Sequence, residues 1–331
     1  MNLQLLPKVE LHLHLDCSLS YNVVQRIQPS IRLEQYQREF NAGEKCVNLA
    51  DFLAKAVRGF QLMQTEEHIE WVVEDLFAQL AADQVIYAEI RFAPYLHLEG
   101  GLTLTQVVTA ADRATRRCMQ QTGIEARLIL CTLRHYSEAQ SMETARLVKQ
   151  FAGTTVAGLD IAGDEAGYPL DAHLAAFDWA HTQGLHITAH AGEACGPESV
   201  WDTLEKLKPT RIGHGARSIE DESLVRHLRQ HQVHLEICPT CNVLIDMYDN
   251  YDGHPIDKLY RSGVSVNVNT DNRTITNIGL TQEYERLQQH FGWTLADFYN
   301  TNVKALQAAF IDASTREQLI QRLTNGYQQQ S

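Results

Sequence analysis

Histidines alternate with leucines in the segment Val9–Asp16, whose sequence is Val-Glu-Leu-His-Leu-His-Leu-Asp. Alternate side chains of a β-strand point to the same face, so a strand here would project His12, His14 and Asp16 together. Successive Cα atoms on that face lie roughly 6.6 Å apart, which lets two imidazoles reach one metal ion. Two solvated histidines on an edge strand would show the same pattern, so this segment alone leaves both interpretations open.

Three further polar clusters follow apolar segments and supply the same kinds of side chain. Imidazoles with one carboxylate, and a position left for water, are typical of catalytic zinc. A bound zinc ion lowers the pKa of that water to about 7. Glu193, three residues beyond His190, is placed to transfer protons rather than to bind the ion. The three clusters are Thr188–Glu193, Gly213–Gly215 and Asn269–Asn272.

Two other zinc motifs are not supported. The sequence contains no His-Glu-x-x-His, so a helix-borne peptidase site has no basis here. Cys238-Pro-Thr-Cys241 has the spacing of a zinc-binding pair, but no second pair accompanies it. In the small nucleobase deaminases the proline precedes the first cysteine, whereas here it follows it. We therefore expect Cys238 and Cys241 to be packing residues at the end of a strand.

Eight short apolar segments, most of them separated by helix-like stretches, would position these clusters. Several are near-continuous runs rich in Val and Ile, which is typical of parallel strands buried on both faces. Eight alternations of strand and helix predict an α/β fold, a (β/α)8 TIM barrel, with its chemistry at the C-terminal ends of the strands. The segments are Val9–His14, Val85–Phe92, Ala126–Cys131, Val156–Ile161, His186–His190, Arg211–His214, Val233–Cys238 and Val264–Asn269.

The connection between the first two strands is much longer than one crossover helix requires. It contains roughly seventy residues, and Asn48 would cap a helix that begins at Leu49. Long insertions after a barrel strand lie over its C-terminal mouth. We expect this one to act as a lid over a pocket, with a packed appendage as the alternative. Residues after Asp297 are expected to form closing helices, and the whole chain, 1–331, to form one domain.

Composition limits the class of ligand. A formal charge of −13 argues against binding to nucleic acid and fits a neutral or cationic small molecule. No uncharged apolar stretch reaches the roughly 18 residues of a membrane span, and we see no signal-peptide pattern. Seven scattered cysteines favour a reducing cytoplasm over a disulfide framework. The sequence carries no sign of an oligomeric state.

Six motifs, in order along the chain, resemble those of the adenosine deaminase family of metal-dependent amidohydrolases. This family includes adenosine, adenine and AMP deaminases. The motifs span nearly the whole chain, and their order makes the resemblance specific. They are Pro7–Asp16, Asp160–Glu165, His190–Glu193, Arg211–Gly215, Cys238–Thr240 and Asn269–Asp271.

The resemblance implies a single zinc ion per chain, held by His12, His14, His190 and Asp271. Binuclear relatives carry a lysine at the end of strand four, which is carbamylated and bridges two metals. Here that strand ends in Asp160–Gly163 without a lysine, which favours one metal.

The resemblance also implies two catalytic roles. His214 would orient or deprotonate the water that attacks C6 of the adenine ring. Glu193, in its protonated form, would hydrogen-bond to ring N1 and donate its proton as the tetrahedral centre forms. Ammonia would then leave and a 6-oxopurine would remain.

Four residues would contact the substrate by the same resemblance. The backbone N–H of Gly163 would donate to purine N3, Asp16 would contact a ribose hydroxyl, and His14 would lie beside the substrate. Asn272 stands where the family often has a second aspartate, and its amide can donate to purine N7. Cys17 stands where many members have glycine, and a thiol near the pocket predicts inactivation by alkylating agents unless ligand is bound.

We expect adenosine and 2′-deoxyadenosine as substrates, in purine salvage, with adenine or aminodeoxyfutalosine as the alternative within the family. Relatives that resemble adenine deaminases tend to carry Ile/Leu-Glu-Gly where this chain has Leu15–Cys17, and the shorter Asp16 leaves room for a sugar. A catalytically silent binding protein on the same barrel is the alternative outside enzymes, although every ligand and the acid are retained. A hydrolase for an unrelated amide or ester is a further alternative, since fold does not fix function.

Overall fold

Eight parallel strands pair in chain order and form a nearly closed barrel, as the sequence predicts. The computed structural model describes residues 2–43 and 45–330. The last and first strands meet at their C-terminal ends, where the backbone N–H of His14 donates to the carbonyl of Asp271 at 2.8 Å. The strands are β1 Lys8–His14, β2 Val85–Phe92, β3 Glu125–Leu133, β4 Val156–Ala162, β5 His186–Ala191, β6 Arg211–His214, β7 His234–Ile237 and β8 Ser265–Val268.

Helices cover the outside of this barrel, because parallel strands need long crossover connections and both of their faces are apolar. β2, for example, is buried along its whole length. The helices are α1 Tyr21–Ile27, α2 Leu33–Phe40, α3 Leu49–Leu62, α4 Glu66–Ala82, α5 Leu104–Thr122, α6 Glu138–Gln150, α7 Leu174–Thr182, α8 Pro197–Lys206, α9 Glu222–Gln230, α10 Pro239–Leu244, α11 Ile256–Arg261, α12 Arg273–Thr276, α13 Leu280–Phe291, α14 Leu295–Ala308 and α15 Ala313–Gln328.

The long insertion after β1 forms α1 to α3, which precede the crossover helix α4. Asn48 caps α3 as predicted, because its side chain accepts the N–H of Asp51 at 3.0 Å. α3 lies close against the loop that follows β1. A Cβ atom added at Gly59 would stand 2.3 Å from the carbonyl oxygen of Asp16, so only glycine permits this approach. The predicted position of the insertion, beside the barrel mouth, is confirmed, and its opening as a lid stays a prediction.

A chain of buried charges crosses the barrel interior. Arg91 pairs with Asp160 at 2.8 Å and with Glu236 at 2.6 Å. Arg211 pairs with the other oxygen of Glu236 at 2.8 Å and with Glu89. All five side chains are almost fully buried. A charge in such a place is tolerated only when it is paired, and these pairs fix the carboxylates of Asp160 and Glu236 beneath the C-terminal mouth.

The closing helices α14 and α15 pack against the barrel as expected. Asn302 of α14 accepts the backbone N–H of Val9 in β1 at 2.6 Å, which joins the end of the chain to its first strand. Among the helices in the described part of the chain, none has the length and apolar character needed to cross a membrane.

Candidate functional site

The residues predicted to carry chemistry lie at the C-terminal ends of four strands. His12 and His14 belong to β1, His190 to β5 and His214 to β6, and Asp271 follows β8. The expectation that Asp16 continues the alternation of β1 is wrong, because the strand ends at His14 and residues 15–17 form a 3-10 helix. That turn still places Asp16 in the same cavity as His14.

Four ligand atoms converge at the floor of this mouth. Nε2 of His12 and Nε2 of His14 lie 3.2 and 3.3 Å from Oδ1 of Asp271. Nε2 of His14 lies 3.2 Å from Nε2 of His190. Ligands placed 2.0–2.1 Å from a tetrahedral ion stand about 3.3 Å from one another. The separations are therefore those of a zinc coordination shell.

Two buried carboxylates orient these imidazoles. Nδ1 of His12 lies 3.0 Å from Glu236, and Nδ1 of His190 lies 3.2 Å from Oδ1 of Asp160. An imidazole that donates from Nδ1 to a carboxylate presents the lone pair of Nε2 to a metal. Nε2 of His12 has no hydrogen-bond partner among the described residues. Burial, followed by the charge of Arg91, holds the pKa of His12 well below its usual range, so the imidazole is neutral.

Two of the residues at this floor adopt a strained backbone. His214 has φ of 61° and Asp271 has φ of 62°, in the left-handed region that residues other than glycine rarely occupy. Such conformations cost about 1–3 kcal/mol each and are concentrated at functional sites. Here they turn the two side chains inward at the ends of β6 and β8.

Glu193 is a buried carboxyl group that faces His214. Its Oε1 lies 3.5 Å from Nε2 of His214. Burial, followed by the negative charges of Asp271 and Glu165, raises the pKa of Glu193 well above its ordinary value. These surroundings favour the protonated form of the carboxyl group. Asn242 donates to Nδ1 of His214 at 3.1 Å, so Nε2 of that imidazole carries its hydrogen when the ring is neutral.

The loop that carries Glu193 is held by a residue that sequence reasoning did not single out. Both oxygens of Glu165, which follows β4, accept backbone N–H groups of this loop. The bonds come from Gly192 at 2.8 Å, Glu193 at 3.0 Å, Ala194 at 2.6 Å and Cys195 at 2.9 Å. The hydroxyl of Ser199 adds a fifth bond. The only sequence signal was the place of Glu165 within the motif Asp160–Glu165.

A cavity of about 320 Å³ opens above this floor, within the range of small-molecule sites. The four residues predicted to contact a substrate, His14, Asp16, Gly163 and Asn272, all line it, and their contact with a ligand stays a prediction. Gly163 has φ of +97°, which only glycine adopts readily and which turns the chain at the end of β4. One wall is the apolar face of α3, formed by Phe52, Leu53, Ala56, Val57 and Phe60.

The cysteines near the cavity differ in their surroundings. Cys17 lines the cavity, and burial raises the pKa of its thiol well above the ordinary value. Cys238 and Cys241 are fully buried at the start of α10, in agreement with the predicted packing role. Cys241 differs from Cys238 in that its Sγ contacts Oε1 of Glu193 at 3.9 Å.

Similarity to known proteins covers almost the whole chain. A family model for adenosine deaminase matches residues 7–326. An adenosine deaminase of Clostridium kluyveri is 34% identical over 315 residues, which make up 93% of this chain and 90% of that protein.

Solved structures show the same fold. The crystal structure of an adenine deaminase from Arthrobacter aurescens superposes with a TM-score of 0.89 at 24% identity, covering 96% of this chain and 98% of that one. A zinc-bound amidohydrolase from Burkholderia ambifaria gives a TM-score of 0.89 at 23% identity, covering 99% and 92% of the two chains. At these identities the likeness concerns the fold.

Proposed function

This chain belongs to the adenosine deaminase family, and we propose that it is a zinc-dependent enzyme that hydrolyses adenosine and 2′-deoxyadenosine. The products are inosine or 2′-deoxyinosine and ammonia. The observation that carries the proposal is the placement of a buried carboxyl group, Glu193, whose pKa is raised, beside four convergent ligand atoms at the floor of one cavity.

The residues present fit one zinc ion. Three imidazole nitrogens and one carboxylate oxygen form the set, from His12, His14, His190 and Asp271, and these atoms lie within 4.8 Å of one another. Zinc accepts such a mixed set, whereas magnesium and calcium prefer oxygen ligands alone. When bound, the ion supplies Lewis acidity that lowers the pKa of water to about 7.

Glu193 and His214 handle the protons of the reaction. The carboxyl group of Glu193 holds a proton that ring N1 of a purine can accept as C6 becomes tetrahedral. His214 is buried, and its Nε2 has no hydrogen-bond partner among the residues described, so it is free to orient a water molecule at the reacting carbon. Their separation of 3.5 Å lets both reach one reacting centre.

Other residues orient the nucleoside. The N–H of Gly163 is assigned to purine N3, Asn272 to N7, and Asp16 to a ribose hydroxyl. The apolar wall of α3 covers the base and excludes water from it. Among the described residues that line the cavity, none is a lysine or an arginine. This favours a neutral nucleoside over a nucleotide, because a phosphate group requires cationic partners.

We also propose that residues 1–331 act as one domain and that the enzyme works in the cytoplasm, since none of the seven cysteines forms a disulfide.

The proposed substrate is tested with a panel of adenosine, 2′-deoxyadenosine, adenine and aminodeoxyfutalosine, with ammonia release as the readout. The nucleosides should be turned over fastest. Preference for one of the other two would move the function to that substrate. No release from any of the four would leave a silent binding protein or an unrelated hydrolase.

A further inference from the structure

A second cluster of buried ligand atoms lies beside the proposed zinc ligands. One ligand atom each of Glu193, Cys241 and Asp271 lies within 4.8 Å of the other two. The three residues are 5%, 0% and 2% exposed. The proposed reaction gives no task to the thiol of Cys241, although its Sγ stands 3.9 Å from Oε1 of Glu193.

The two carboxylate oxygens of Asp271 have different surroundings. Its Oδ1 faces Nε2 of His12 and of His14 at 3.2 and 3.3 Å. Its Oδ2 is buried and has no hydrogen-bond partner within the described part of the chain. A buried carboxylate oxygen without a partner is costly, and a second cation would supply the missing partner.

The donor types select the kind of cation. A thiolate together with carboxylates suits zinc and softer ions of the same charge, such as cadmium, and does not suit magnesium or calcium. Sites in which two metal ions share ligands hold them about 3.5–4 Å apart. Asp271 belongs to both clusters, so its carboxylate can supply the shared ligand.

We propose that Glu193, Cys241 and Asp271 form a second, inhibitory site for a thiophilic divalent cation, next to the zinc site of the proposed enzyme. On binding, a metal–sulfur bond forms, and the protons of the Cys241 thiol and the Glu193 carboxyl pass to solvent. Glu193 then has no proton to give to a substrate. The site itself stands apart from the proposed function, and only its inhibitory effect rests on the acid role of Glu193.

The test uses the zinc-loaded enzyme, titrated with cadmium. Three quantities are measured together: the ultraviolet charge-transfer band of a cadmium–thiolate bond, the zinc retained after dialysis, and the deaminase rate. The wild type should bind one equivalent of cadmium while keeping its zinc, gain the band and lose activity in parallel. Cys241→Ser should lack the band and require at least about tenfold more cadmium for inhibition, as expected when a metal loses a ligand.

Two matched variants separate this site from its neighbours. Cys195→Ser removes a thiol from the loop that carries Glu193, and Cys238→Ser removes the thiol that lies near His12, His214 and Asp271. Both should behave as the wild type. The proposal of a second site is overturned if the wild type shows no band, if the band persists in Cys241→Ser, or if each cadmium ion bound releases one zinc ion. If the cadmium–thiolate band appears while the deaminase rate is unchanged, the second metal site is supported and the acid role of Glu193 is refuted.

Discussion

The carboxylate of Glu165, after β4, accepts the backbone N–H of Glu193, after β5, at 3.0 Å. Together with the bonds from Gly192, Ala194 and Cys195, this makes one carboxylate the anchor of the whole loop. The loop after β4 also carries Gly163, which lines the substrate cavity. Glu165 therefore fixes the acid relative to the part of the cavity assigned to purine N3.

Replacing Glu165 should slow turnover with little effect on substrate binding. Glu165→Gln removes the charge and points an amide N–H₂ at backbone donors, so the loop carrying Glu193 shifts. A displacement near 1 Å costs roughly a hundredfold in rate, and we expect kcat to fall by that order while KM changes little. Steady-state kinetics check this. Glu198→Gln, which changes an exposed glutamate with one backbone bond on the same loop, is the matched control and should retain the wild-type rate.

Removing the acid itself should abolish turnover without removing the metal. In Glu193→Gln the side chain keeps its shape but has no acidic proton to transfer, so kcat should fall by at least about 100-fold, within the range of general acid catalysis. Metal analysis should still find one zinc ion per chain. Wild-type rates in this variant would exclude Glu193 from the mechanism.

Removing a zinc ligand should instead lower the metal content of the protein. His12→Ala or Asp271→Ala deletes one of the four convergent atoms, so the purified variant should contain far less zinc than the wild type, measured by elemental analysis. Cys118→Ser, a buried substitution on α5 away from the site, controls for losses during purification. A ligand variant that retains a full complement of zinc would contradict the assignment.

The activity should fall as the pH rises through the pKa of Glu193. Because burial raises this pKa, the protonated form persists to higher pH and the basic limb of kcat/KM lies above the range usual for a carboxyl group. Glu165 is one of the negative charges that raise it, so Glu165→Gln should move this limb to lower pH. The pH dependence of kcat/KM in both proteins is the measurement. If kcat/KM falls at the same pH in the variant and in the wild type, a group other than Glu193 causes the fall.

A buried histidine in the barrel should make stability depend on pH. Burial lowers the pKa of His234 to about 4, against about 6.5 in an unfolded chain. Its Nε2 donates to Oδ1 of Asn267 at 3.0 Å, and its Nδ1 lies 2.8 Å from the hydroxyl of Ser265, in a buried place that disfavours the charged ring. The unfolded state therefore binds the proton first, and stability is complete above pH 6.5 and is lost as the pH falls towards 4.

Urea unfolding between pH 7 and pH 5 measures this effect. The free energy of unfolding of His234→Gln should decrease less steeply than that of the wild type over this interval, with a difference of the order of 1–2 kcal/mol at pH 5. His231→Gln, at an exposed position, should match the wild-type slope. If the free energy of unfolding depends on pH equally in the wild type and in His234→Gln, a group other than His234 takes up the proton on unfolding.

The sequence was enough to locate the strands and the residues at their ends. Short apolar segments separated by helix-like stretches mark the strands, and several of these segments are runs rich in Val and Ile because a parallel strand buried on both faces shows little alternation. Once eight strands are counted, barrel closure brings the end of β1 next to the residues after β8. The proximity of His12 and Asp271 could therefore be predicted from the order of the strands alone.

The partners of the site residues could not be found in this way. Glu236 lies in β7 and orients His12 of β1, and this contact across the barrel depends on the stagger of the strands, which a single sequence does not encode. The contact of Cys241 with Glu193 depends on how α10 turns after β7, and the spacing of the two cysteines points only to a possible metal pair. β1 ends at His14 as predicted, but Asp16 belongs to a 3-10 turn and does not project from the strand, although its spacing keeps the period of the strand.

The absence of a side chain at Gly59 sets how closely α3 approaches the loop that follows β1. Since a Cβ there would stand 2.3 Å from the carbonyl oxygen of Asp16, any larger residue must tilt α3 away from the barrel and carry Phe60 with it. The apolar wall would then retreat while the floor of the site stays in place. Replacing Gly59, first with alanine and then with serine, is therefore a way to redesign the enzyme for nucleosides with bulkier groups.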